Sequence, residues 1–146
     1  EPFLLVSTIN VIIAQRLVRK LSDQKEKYTL SKAELQTLGK SVNLTKILNA
    51  LKEEKIVGKN DTWDDISFWR PKKGAASEEG YAGRIGIHEV LKVSSSIKEL
   101  IIKGGTGDAI QKQAEDEGML TMIEDGIFQV VRGETTIEEV LRVISE

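Results

Sequence analysis

Few residues in this chain are of a type and spacing that could do chemistry. Leu38-Gly39-Lys40-Ser41 ends in the Gly-Lys-Ser triplet of a phosphate-binding P-loop. Such a loop needs a glycine five residues before the triplet's own, so that backbone N–H groups can curl around phosphates, and a strand leading into it. That position is Glu34, and residues 31–38 read as helix, so the triplet is a helix stop with Lys40 in solvent. Gly104-Gly105-Thr106-Gly107 opens a helix and could in principle hold an anion. A stop glycine followed by an N-cap threonine accounts for it at least as well. His88 is the only histidine and cysteine is absent, which excludes a site with two His ligands, a thiolate cluster and any disulfide. No serine stands in a nucleophile elbow, so His88 reads as a strand-face residue with a structural hydrogen bond.

A second chemistry to weigh is nucleic-acid binding. Leu44, Ile47, Leu48 and Leu51 mark a helix, and residues 55–57 and 66–69 read as two strands around a polar turn at Gly58 and Asn60. Helix and hairpin together have the outline of a winged-helix reader. Against that, Glu53 and Glu54 lie on the helix, Asp61, Asp64 and Asp65 on the wing, and no arginine falls on the helix to grip base edges. Residues 20–59 hold nine lysines against five acids while the last forty residues are acidic, a split that a solvated lysine surface explains more simply than an anionic partner.

The elements that must position any site follow from periodicity. Val6, Ile9, Ile13, Leu17 and Leu21 recur at helical spacing, with Arg16, Arg19 and Lys20 in the last turns, so residues 5–21 are expected to form one long helix. Residues 22–28 are polar and break it. Ser31 with Glu34, Ser96 with Glu99 and Thr136 with Glu139 have the capping-box spacing, and Gly39, Gly104, Gly118 and Gly133 stand where helices should stop. Residues 71–80 read as loop, and residues 84–91 alternate as a strand. Ile137, Val140, Leu141 and Ile144 form the apolar stripe of a final helix. The expected fold is α+β, mainly helical with a small β element. A hydrophobic fraction of 40% with 30% charged residues makes it an ordinary globular chain, and residues 3–14 are too short and polar to span a bilayer. The start without Met, inside an apolar pattern, points to an excised fragment.

Three stretches carry a resemblance. They are Glu1-Pro2-Phe3-Leu4 with Ser7-Thr8-Ile9-Asn10 and residues 14–21; Gly80-Tyr81-Ala82-Gly83-Arg84-Ile85-Gly86-Ile87-His88-Glu89-Val90-Leu91; and Glu124-Asp125-Gly126 with residues 133–141. In order and spacing they resemble the C-terminal region of type II secretion and type IV pilus assembly ATPases. The resemblance implies the C-terminal subdomains of a RecA-like secretion ATPase without its P-loop core. Residues 1–21 would be the last helix of that core, 22–92 a metal-binding-type subdomain and 93–146 a C-terminal helical subdomain.

Members of that family commonly carry two Cys-x-x-Cys pairs that hold a structural zinc. The matching positions here are Ser22 and Lys25, then Lys73 and Ala76, so no metal is expected. Leu48, Leu51, Ile66 and Phe68 are the candidates for a packed substitute.

The resemblance further implies a hexameric parent that binds ATP and Mg and works in the cytoplasm. Its partners would be its own ATPase core, neighbouring subunits and an inner-membrane platform protein, which would hold it at the membrane; no nucleic acid is expected. The fragment itself would hold no cofactor and no catalytic residue. Arg84, His88, Arg16 and Arg19 are the candidates for a nucleotide edge or subunit interface. Gln15, Gly80, Tyr81, Gly83, Gly86, Glu89, Asp125 and Gly126 are expected to serve structure. A winged-helix module and an adaptor domain without a motor are the alternatives.

Overall fold

The computed structural model describes residues 1–75 and 78–146. In chain order the elements are α1 (Pro2–Thr8), β1 (Val11–Leu21), β2 (Lys25–Tyr28), α2 (Lys32–Gly39), α3 (Leu44–Glu53), β3 (Phe68–Pro71), β4 (Tyr81–Lys92), α4 (Ser95–Ile102), α5 (Gly107–Asp116), α6 (Met122–Val131) and α7 (Ile137–Ile144). The α+β reading holds. The long helix at residues 5–21 does not: the helix stops at Thr8, and residues 11–21 are a strand.

Two local causes account for that. The Ser7 and Thr8 hydroxyls donate to the Leu4 carbonyl, at 2.9 and 2.7 Å, which competes with continued helical bonding. Beyond them Val11, Ile12 and Ile13 are β-branched and favour extended backbone.

β1 pairs with β4. Val93 N–H donates to the Asn10 carbonyl at one end (2.8 Å) and Ser22 N–H to the Gly80 carbonyl at the other (2.9 Å), so the strands run in opposite directions. A second ribbon joins β2 to β3, antiparallel, with Lys25 opposite Pro71 and Tyr28 opposite Phe68. The chain divides into two compact units, residues 1–15 with 88–122 and residues 16–87 with 123–146.

In the first unit Val93, Ile97 and Ala114 form a core, with Ile9, Leu91, Ile101, Ile110 and Met119 packed on it. Helix α4 is capped by Ser94, whose Oγ accepts from Ile97 N–H (3.2 Å) and donates to the Glu117 carboxylate (2.8 Å). The expected box at Ser96 and Glu99 is thus replaced by a cap two residues earlier. Thr106 caps α5, as the N-cap reading of the glycine cluster requires.

In the second unit Val18, Ile47, Leu51, Phe68, Ile127 and Val140 are among the fully buried side chains. Leu51, Ile66 and Phe68 belong to this core as expected, and Leu48 is half-buried. The Ser31 and Glu34 box is present on both sides, with Glu34 N–H to Ser31 Oγ at 3.2 Å and Ser31 N–H to Glu34 Oε2 at 2.8 Å.

Residues 55–57 are not a strand. Lys55 takes a φ of +57° and Ile56 N–H donates to the Leu51 carbonyl (2.9 Å), which is the Schellman closure of α3. A lysine in the position usually held by glycine hid that stop. The hairpin needed for a winged helix is therefore not formed, since β3 takes β2 as its partner.

Candidate functional site

A polar cluster of the second unit is built around Glu139, in the first turn of α7 and fully buried. One of its oxygens accepts the backbone N–H of Arg19 (3.0 Å) and Arg19 Nε (3.1 Å), and the other accepts Arg19 Nη2 (2.9 Å). Arg142, one turn along α7, adds Nη2 at 2.6 Å and Nε at 3.2 Å. Burial pushes the Glu139 carboxyl up, but the two guanidiniums and the backbone N–H overcome it and hold the group at about 2. Its hydrogen bonds raise the guanidinium of Arg19 above the ordinary arginine range. A carboxylate with five donors and no spare lone pair is a structural lock rather than an acid or base.

The neighbours of Glu139 complete the lock. The Arg19 guanidinium lies 4.4 Å from the centre of the buried Tyr81 ring, and the Tyr81 hydroxyl shares a 2.8 Å hydrogen bond with Thr136 Oγ1. Thr136 also accepts Glu139 N–H (3.1 Å), while Thr135 Oγ1 donates to the Arg19 carbonyl (2.8 Å). The expected box at Thr136 and Glu139 is thus half formed, because the Glu139 carboxylate turns to arginine instead of to the cap. Arg16 Nη1 reaches the other end of α7 and donates to the Val143 carbonyl at 2.6 Å. Both β1 arginines therefore engage α7.

The remaining candidates are dispersed. Arg84 is exposed on β4, and His88 and Glu89 are half-buried further along that strand. Gln15 is exposed. Gly80 has a φ of +97°, and a Cβ there would lie 2.4 Å from Pro71 Cβ, so glycine is required on two counts. Gly83 also has positive φ, and Gly86 is half-buried in β4. Asp125 is half-buried on α6, and the adjacent Gly126 faces Val140, where an added Cβ would meet Cγ1 at 2.5 Å. Gly126 thereby sets how closely α6 and α7 approach.

The positions that the resemblance matches to zinc ligands carry no thiolate or imidazole. Lys25 Nζ donates to the Gly133 carbonyl (2.7 Å) and sits 4.8 Å from the Trp69 ring centre, so it acts as a structural cation. Ser22 accepts from Gln24 N–H at 3.3 Å, Lys73 is exposed, and Ala76 lies outside the described residues. Among the described residues no group of three His, Asp or Glu could hold a metal ion. Gly39-Lys40-Ser41 is the end of α2 and is not preceded by a strand, so it makes no phosphate cradle.

Sequence reading missed two buried acids. Glu139 stands in the row 136, 139, 140, 143, at spacing i, i+3, i+4, i+7, and an acid in such a stripe signals a buried partner. Glu124, also buried, accepts from Lys46 Nζ at 3.2 Å and Asn43 N–H at 3.4 Å. No helix among the described residues is long and apolar enough to cross a membrane.

Comparison with known proteins bears on the whole chain. Residues 1–142 match a family described as type II/IV secretion system protein. A type II secretion system protein E from Xanthomonas campestris is 37% identical over all of this chain and 23% of its own length. A type IV pilus assembly ATPase PilB from Myxococcus xanthus is 31% identical over 97% of the chain and 22% of its own. A type II secretion system ATPase E from Vibrio cholerae is 33% identical over the full chain and 25% of its own. The chain thus spans a quarter or less of the length of these curated relatives. With the match running from the first residue to the last turn of α7, this chain belongs to the type II/IV secretion system protein family.

Proposed function

We propose that the chain is the C-terminal coupling part of a secretion or pilus-assembly motor ATPase, which passes conformational change in an ATP- and Mg-binding core elsewhere on the polypeptide to the export machinery. The family match over residues 1–142 carries this reading. It is supported by the three blocks of resemblance, which keep their order, and by the share of the relatives, three quarters or more, that this chain leaves to other domains. The hexameric state, the place on the cytoplasmic side of the inner membrane and the loss of a zinc site belong to the same proposal. A platform protein of that membrane and neighbouring subunits would be the partners.

The geometry of the second unit supports this reading. A lever must not dissipate displacement, and the contact of β1 with α7 is built to that requirement. Arg19 bonds Glu139 with both backbone and side chain, Arg16 holds the far end of the same helix, and Tyr81 of β4 closes over the guanidinium. Displacement of β1 would reach α7 through side chains that hydrogen bonds hold at both ends.

The test uses the full-length protein and an Arg19→Met variant. Coupling predicts that ATP turnover persists while export or pilus extension falls. Turnover and export lost in the same proportion would overturn it, as would ATP hydrolysis by the 146-residue chain alone. An upstream coding sequence without a P-loop would remove the motor from the reading.

A further inference from the structure

A groove of about 340 Å³ lies between α2 and α7 in the second unit. That is within the range of about 300–1,000 Å³ typical of ligand sites. Its floor is Leu38 and Ile137, both buried, and its walls include Tyr28, Leu30 and Leu141. Leu141 is 38% exposed, on a helix whose other apolar residues are better covered. Among the described residues the acids that line the groove are Glu34 and Glu138, in the first turns of α2 and α7, and no lysine or arginine lines it.

We propose that this groove docks a helical segment of a partner protein, apolar on one face and flanked by Lys or Arg. Charge complementarity argues for that occupant: an apolar floor recognises Leu or Ile side chains, and an acidic rim without basic residues selects a cationic flank and disfavours an acidic one. Helix α2 has eight residues and is about 12 Å long, enough to cradle about two turns of a guest helix.

Two details of the rim agree with it. Glu34 is held below the ordinary carboxylate range by the Ser31 backbone N–H and hydroxyl, so its charge is present at neutral pH. The Tyr28 phenol is pushed up to about 12, chiefly by burial and then by Glu138 and Glu34, and stays a donor. The Arg70 guanidinium lies 5.0 Å from the Tyr28 ring centre, and its Nε is bonded to Glu26.

The experiment titrates the 146-residue chain into a fluorescein-labelled helical peptide of about 14 residues, with Leu at i, i+3, i+4 and i+7 and Lys on the flanks, and reads anisotropy. Saturable binding is expected, weakened about tenfold or more when Glu replaces each Lys in the peptide and again by raised salt. Ala33→Arg and Glu138→Lys, both at exposed positions, should each weaken binding by a similar factor while lowering the thermal midpoint of the chain by no more than about 2–4 °C, the cost of a cation in a helix's first turn. Equal binding of the Lys and Glu peptides, or no effect of either variant, would overturn the proposal. So would failure of the peptide to saturate. Concentration-dependent self-association abolished by Ala33→Arg would assign the groove to a second copy of this chain and overturn it likewise.

Discussion

Replacing Glu139 by Gln keeps the size of the side chain and removes the charge that five donors converge on. The carboxyl stands at about 2 in the folded chain against an ordinary 4.5. At about 1.36 kcal/mol per unit, that difference amounts to about 3 kcal/mol of stability. Because the folded value lies below the unfolded one, this stabilisation is complete above about pH 5 and is lost as the pH falls through 4.5 toward 2. About half of it remains at about pH 3. The side chain is 1% exposed, so water cannot take over the lost role. The Gln amide would also turn N–H groups toward guanidinium donors. Urea unfolding of wild type and Glu139→Gln should therefore differ by about 3 kcal/mol at about pH 7 and by about half that at about pH 3. Equal midpoints at neutral pH would refute the reasoning, and so would a gap that does not shrink with acid.

Gly126→Ala should destabilise the chain by about 1–2 kcal/mol, since overpacking against Val140 outweighs the gain in helix propensity. Combined with Val140→Ala, the loss should be smaller than the sum of the single losses by about 1 kcal/mol or more in urea unfolding; strict additivity would contradict the close approach. A strong chelator should leave the unfolding midpoint unchanged, and a large chelator-induced loss would show that a bound metal supports the fold. Arg84→Ala, at an exposed position, should shift the stability of the isolated chain by less than about 0.5 kcal/mol while lowering ATP turnover of the full-length protein. Unchanged turnover and assembly would remove Arg84 from the proposed interface.

Much of the helical part of the chain was legible because its signals are local. Ser31, Thr106 and Thr136 cap helices, and Gly104, Gly118 and Gly133 end them with positive φ, as their side chains or lack of one dictate. Residues 11–21 were misread for the converse reason. Val11 to Leu17 are all exposed, so that stretch shows no alternation of burial, and although Ile9 packs on the first core and Leu21 is buried, Ile13 and Leu17 between them face solvent, so the helical spacing marks no single packed face.

Side-chain chemistry within a few residues was thus enough to determine most of the caps and stops, the absence of a P-loop motif and of thiolate ligands, and, through three short blocks, the family. Tertiary structure alone decided that β1 is extended, that β2 and not residues 55–57 pairs with β3, and that Glu139 faces Arg19 from 120 residues away. The physical reason is range: a cap is satisfied by a neighbour in the chain, whereas a strand's hydrogen bonds and a buried carboxylate's counter-charges come from segments whose proximity exists only after folding.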